Sequence, residues 1–209
     1  MIYKAIIGSR TYGLETEESD VDLAIVSSVV QDKQLYLSQG FDMYHYTPEE
    51  FVSRIVNSSI LWVDYQWLFP HEFCLKNNLI EWIKENREEM IKAVLPTLYQ
   101  SHFCIYGSNS YKNSIYHKRV IRAIHFHNML VEYAEGAKFE DAIKAKGDTK
   151  NFLLAAREGK APVKRLLEVE KNTKARAEAV VDFYKSPRAD LSILEDFKQV
   201  VYKEVDAIS

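Results

Sequence analysis

Two aspartates spaced by one residue, Asp20 and Asp22, open the apolar, β-branched run Val21-Asp22-Leu23-Ala24-Ile25-Val26. On a strand alternate side chains share a face, so both carboxylates point the same way, about 7 Å apart along the chain. Like charges so placed repel at neutral pH unless a cation lies between them. A hard divalent cation with oxygen ligands, magnesium above all, suits the pair. Asp42 lies inside the alternating run Phe41-Asp42-Met43-Tyr44-His45-Tyr46. From a neighbouring strand about 4.8 Å away it can complete the cluster. Three carboxylates can hold two metals, and two metals can clamp an in-line phosphoryl displacement. Upstream, Gly8-Ser9-Arg10 follows the run Tyr3–Ile7. Gly8 allows close backbone approach to a phosphate, Ser9 offers a hydroxyl and an N–H, and Arg10 brings a guanidinium for phosphate oxygens. Taken singly, Gly-Ser after a strand is ordinarily a turn, Asp-x-Asp a solvated strand end and Asp42 a surface acid. The specific feature is their joint occurrence around a ten-residue polar spacer.

The elements that must position these residues are legible from pattern. Tyr3–Ile7, Val21–Val26 and Phe41–Tyr46 read as strands. A helical period begins at Thr47-Pro48-Glu49-Glu50, a capping-box sequence with Pro at the first helical position. Further helices are expected through Leu61, Trp62, Tyr65 and Leu68, stopping before Pro70, and from Leu79 to Val94, ended by Pro96. Beyond that the pattern is helical throughout. One helix is expected from Val120 to Tyr133, up to Gly136. Another covers Phe152–Ala156, a long one runs from Pro162 to Ser186-Pro187, and a last one from Leu191 to Val205. Strands with helices first and helices alone afterwards predict an α+β chain: a small mixed β-sheet domain with flanking helices over residues 1–100, and an all-helical domain over 101–209.

The fuller pattern Gly8-Ser9-Arg10-x-Tyr12-Gly13-x-x-Thr16-x-x-Ser19-Asp20-x-Asp22 resembles the DNA polymerase β-like nucleotidyltransferase superfamily. Within it, the pattern is similar to a branch of predicted bacterial and phage nucleotidyltransferases linked to RNA repair. The likeness extends to the basic helix start at Lys112, Lys118 and Arg122, to Leu153-Leu154-Ala155-Ala156-Arg157-Glu158-Gly159-Lys160, and to a shortened turn at Ser186-Pro187-Arg188-Ala189-Asp190. It departs at Asn57-Ser58-Ser59, where the family tends to have Pro. The resemblance implies transfer of a nucleoside monophosphate from an NTP to an acceptor hydroxyl, with two Mg²⁺ ions, Mn²⁺ being the substitute. It implies that Asp20 and Asp22 bridge the nucleotide-associated and catalytic metals, and that Asp42 binds the catalytic metal and helps activate the attacking hydroxyl. Gly8 and Ser9 would hold the triphosphate, assisted by Arg10.

Composition narrows the setting. The 209 residues are 47% hydrophobic and 12% aromatic, enough for a core, and 7 Gly with 5 Pro exclude collagen-like and low-complexity chains. There is no apolar run of membrane-spanning length and no signal-peptide pattern, and Cys74 and Cys104 form neither a disulfide framework nor a zinc site. A reduced, cytoplasmic setting is therefore expected. The net charge of −3 hides a gradient: residues 1–90 carry −8 and residues 91–176 carry +8. Such a split suits a polyanionic acceptor, an RNA end such as that of a tRNA, on a face built from Lys112, Lys118, Arg119, Arg122, Arg157 and Lys160. A solvated basic face is the plain alternative. Nucleotidylation of a protein side chain or small molecule, and a catalytically silent NTP-binding module, are the functional alternatives. His125-x-His127 is too closely spaced for one helical face and is not expected to bind metal. Trp62, Tyr65 and Trp67 read as packing, while Tyr12 fits a motif role and packing equally.

Overall fold

A computed structural model describes residues 2–28, 36–38, 41–56, 77–106, 115–185 and 188–207. The helix expected around Leu61–Leu68 and the basic residue Lys112 lie outside them. Among the described residues there are four strands, β1 (Tyr3–Ile7), β2 (Val21–Val26), β3 (Tyr36–Ser38) and β4 (Phe41–Tyr46), with a 3₁₀ turn, Gly8–Arg10, after β1. The helices are α1 (Pro48–Val56), α2 (Asn78–Tyr106), α3 (Ile115–Ala134), α4 (Phe139–Ala142), α5 (Gly147–Arg157), α6 (Val163–Ala179), α7 (Val181–Tyr184) and α8 (Ser192–Asp206). The class is α+β, as the sequence predicts. β3 and α4, three and four residues long, leave too little periodicity to be read from sequence.

The chain divides into two compact units. The first comprises residues 1–10, 19–98 and 187–209, and the second residues 11–18 and 99–186. A cut near residue 100 is thus only part of the division, because α8 belongs with the sheet and the loop between the 3₁₀ turn and β2 belongs with the helices.

In the first unit the strand order is β1-β2-β4-β3. β1 runs antiparallel to β2, β2 parallel to β4, and β3 antiparallel to β4. Tyr3, Ala5 and Ile7 stand opposite Val26, Ala24 and Asp22, and these stand opposite Tyr46, Tyr44 and Asp42. All nine therefore share one face. One end of that face is apolar and covered. Tyr3 stacks on Phe51 of α1 at 5.1 Å, Phe51 meets Phe197 of α8 edge-on at 5.4 Å, and Trp82 of α2 lies 6.1 Å from Phe197. Tyr3, Phe51 and Phe197 are fully buried, and each such side chain contributes roughly 1.5–3 kcal/mol. The other end carries the two aspartates.

The capping box at α1 forms reciprocally: Glu50 N donates to Thr47 Oγ1 at 3.1 Å and Thr47 N donates to Glu50 Oε2 at 3.0 Å. α2 starts on Asn77, whose Oδ1 accepts from Ile80 N at 2.9 Å, and on buried Glu204 of α8, whose Oε1 accepts from Asn78 N at 3.0 Å. A carboxylate at a helix N-terminus meets unpaired N–H groups and the favourable end of the helix dipole. This bond explains why α8 joins the first unit. Pro96, expected to end the helix, lies inside α2. A proline strips the carbonyl four residues earlier of its partner; here that carbonyl, Lys92 O, accepts instead from Arg188 N at 3.4 Å.

In the second unit α3 is the central helix, buried almost all round from Val120 to Val131, with α4, α5 and α6 packed against it. Tyr184 Oη donates to Leu130 O at 2.6 Å, and Tyr133 meets Phe139 and Phe183 edge-on. Gly136, at φ +101°, closes α3 in a left-handed turn that a side chain would disfavour. The helix expected from Pro162 to Ser186 breaks at Val180 into α6 and α7. No helix among the described residues is long and apolar enough to cross a membrane.

Candidate active site

Asp22 and Asp42 are each the second residue of their strands, and parallel pairing sets them directly opposite one another. Neighbouring strands lie about 4.8 Å apart, so two half-buried carboxylates stand side by side on one face. β1 ends at Ile7 opposite Asp22, and the chain turns at Gly8 with φ +77°. A Cβ at Gly8 would overlap Oδ2 of Asp22. Glycine is required here twice over: for the left-handed backbone, and because the carboxylate occupies the space a side chain would fill. Asp20 lies one residue before β2 and is exposed.

Sequence reasoning missed Tyr44. It follows Asp42 by two residues, so it shares the carboxylate face, and its hydroxyl donates to Asp22 Oδ1 at 3.4 Å. Burial, then the charges of Asp22 and Asp42, push the Tyr44 phenol above its ordinary pKa. The phenol thus stays protonated and remains a donor. The alternation that placed Asp42 on the site face places Tyr44 there too, and is the signal that could have found it.

Arg10 is exposed, and its guanidinium donates to Ser19 O at 3.0 Å and to Asp20 O at 3.4 Å. It ties the two ends of the spacer together beside Asp20.

The donor set is oxygen only, which suits a hard cation rather than zinc or copper. Among the described residues no three His, Cys, Asp or Glu side chains gather into a protein-only cage. The residues fit magnesium in the way that ion is commonly held, by one or two carboxylates with water and substrate phosphate oxygens filling the rest.

The basic residues lie in the second unit. Lys118, Arg119 and Arg122 are exposed on α3, and Lys118 and Arg122 are one turn apart. Arg157, the last residue of α5, is partly buried, and burial and then the nearby Arg122 charge lower its pKa, opposed by Glu15. Arg122 and Arg157 are therefore neighbours. Arg157 also donates to the Leu14 carbonyl. Lys160 is exposed and pairs with Glu158 at 2.6 Å. His125 and His127 are buried in the helical unit: the His125 ring lies tilted against Tyr12 with ring centroids 4.9 Å apart. The Thr173 hydroxyl donates to Glu170 O, so at the 3.2 Å contact between His127 Nδ1 and Thr173 Oγ1 the imidazole is the donor.

No protein-family model matches the chain, and no curated protein and no solved structure is significantly similar to it.

Proposed function

We propose that the protein is a metal-dependent nucleotidyltransferase that moves a nucleoside monophosphate from an NTP to an acceptor hydroxyl, the end of an RNA being the acceptor. The observation that carries the reading is the in-register pairing of Asp22 with Asp42 on parallel strands, next to a Gly8 turn kept free of any side chain. The resemblance of residues 8–22 to the polymerase β-like motif supports it.

In this reading Asp22 and Asp42, with Asp20 two residues before Asp22 in the chain, would hold two magnesium ions. Bound there, the ions would neutralise phosphate charge and lower the pKa of the attacking hydroxyl. The chain's own contributions are positioning and proton handling. Gly8 and Ser9 present backbone N–H groups and a hydroxyl to the phosphates. Asp42 accepts the acceptor's proton as its oxygen forms the bond to the α-phosphorus. The bond from that phosphorus to the β-phosphate bridging oxygen breaks, and pyrophosphate leaves. Tyr44 orients the Asp22 carboxylate. Lys118, Arg119 and Arg122 supply positive charge for a polyanionic acceptor, so binding falls steeply with salt.

The test is incubation with each α-³²P-labelled NTP, Mg²⁺ and cellular RNA or lysate, followed by identification of the labelled species. Label in RNA with release of pyrophosphate is expected. Label in protein or a small molecule would replace the acceptor. NTP binding without pyrophosphate release would favour a silent binding module.

A further inference from the structure

The loop Thr11–Glu18 connects Ser9 to Asp20, the two ends of the site motif, yet it packs with the helical unit. Four observations describe how it is held. Tyr12 is buried against His125. Ala145 N donates to Tyr12 O at 2.8 Å. Leu14 is buried. Arg157, from the C-terminal end of α5, donates through Nη1 to the Leu14 carbonyl. Glu15, next to that carbonyl, is close enough to oppose the effect of burial on the guanidinium.

We infer that Arg157 is a positioning residue of the site: it clasps the motif loop at Leu14 and so fixes the path by which the chain returns to Asp20 and Asp22. Through Nη1 its charge is spent on a loop carbonyl. A guanidinium suits this task, because its planar fork holds a carbonyl in a defined direction while its stem packs. A hydrogen bond from a charged donor, partly withdrawn from water, is also stronger than a neutral one. The loop is tied at its ends, where Arg10 reaches Ser19 and Asp20. Its middle depends on the helices. Displacement of a catalytic group by about 1 Å can cost on the order of a hundredfold in rate, so a clasp remote from the chemistry has leverage on it.

The inference rests on the proposed nucleotidyl transfer for its kinetic consequences, and its test therefore has arms that need no turnover. Wild type, Arg157→Lys and Arg157→Ala are compared by amide hydrogen exchange, by Mn²⁺ titration and by NTP transfer to RNA. In Arg157→Ala, exchange of residues 11–22 should accelerate about tenfold or more, while amides of α3 keep their protection. Mn²⁺ affinity should weaken roughly tenfold, as for loss of an outer-sphere support. The kcat should fall by about the same factor with the KM for RNA within about twofold. Arg157→Lys should recover part of each loss. A KM rise with kcat and Mn²⁺ affinity intact would overturn the assignment and make Arg157 an acceptor contact. Unchanged exchange of residues 11–22 in Arg157→Ala would overturn it too. If loss of protection spreads through α3, the alanine variant has unfolded its unit and Arg157→Lys decides by the same three readouts. A wild type that transfers no nucleotide overturns the proposed function, while the exchange and Mn²⁺ arms still judge the clasp.

Discussion

At Gly8, backbone geometry and chemistry meet in one residue. A methyl group there would strain a left-handed backbone, at about 1–2 kcal/mol, and collide with Oδ2 of Asp22. Gly8→Ala is thus expected to lower stability by that order and weaken Mn²⁺ binding, because the carboxylate must turn away; a titration with unchanged Mn²⁺ affinity would refute the close approach. Asp22→Asn removes a negative ligand but no volume. Turnover should drop on the order of a hundredfold or more, with unfolding free energy changed by no more than about 1 kcal/mol. Full activity in that variant would sink the carboxylate-pair mechanism. Tyr44→Phe removes a single long hydrogen bond, 3.4 Å, from the same carboxylate. A kcat loss of about two- to tenfold is expected, with NTP affinity little changed. The paired aspartates were legible because alternation on an apolar strand fixes a face. Arg157 was not: sequence shows that a residue is basic, but not whether its charge points to water or to a carbonyl 143 positions earlier.

Among the elements, the strands and α1 declare themselves locally. Period-two patterns bounded by turn residues give β1, β2 and β4, and the reciprocal Thr47–Glu50 bonds are written in the sequence around Pro48. Thr47→Ala should cost about 1 kcal/mol, measurable as a lower denaturant midpoint. The misread boundaries have long-range causes. Pro96 sits within α2 because Lys92 O finds Arg188 N, a donor 96 residues downstream. α8 joins the sheet because Glu204 caps α2 and Phe197 meets Phe51. Periodicity reveals which face of a helix is apolar, not what covers it.

At the scale of the molecule, two buried imidazoles make the helical unit sensitive to acid. Burial lowers the pKa of His125 to about 4 and that of His127, with a contribution from Lys174, also to about 4. His125 Nε2 is buried with no hydrogen-bond partner among the described residues, so a proton gained there has nothing to bond. Folded imidazoles resist protonation that the unfolded chain accepts near pH 6.5. Their contribution to stability is complete above that value and is lost as pH falls from 6.5 towards 4. For His125 the loss amounts to about 3 kcal/mol. Urea unfolding between pH 7.5 and pH 4.5, roughly spanning that window, should show declining stability, and His125→Phe should flatten part of the slope. An unaltered slope in that variant would clear His125 of the effect.

The interleaved chain has a consequence for anyone who divides it. Severing the polypeptide after Leu98 deprives the sheet half of the strap 187–209, whose Glu204 and Phe197 complete it, and leaves the helical half without residues 11–18. Neither fragment would inherit a whole hydrophobic interior, so the two should be recoverable only when co-expressed, and a protease nick at that junction should leave the pieces travelling together. A rearranged chain that began near residue 187 and joined residue 209 to residue 1 by a linker would, in contrast, keep α8 contiguous with the sheet that it closes.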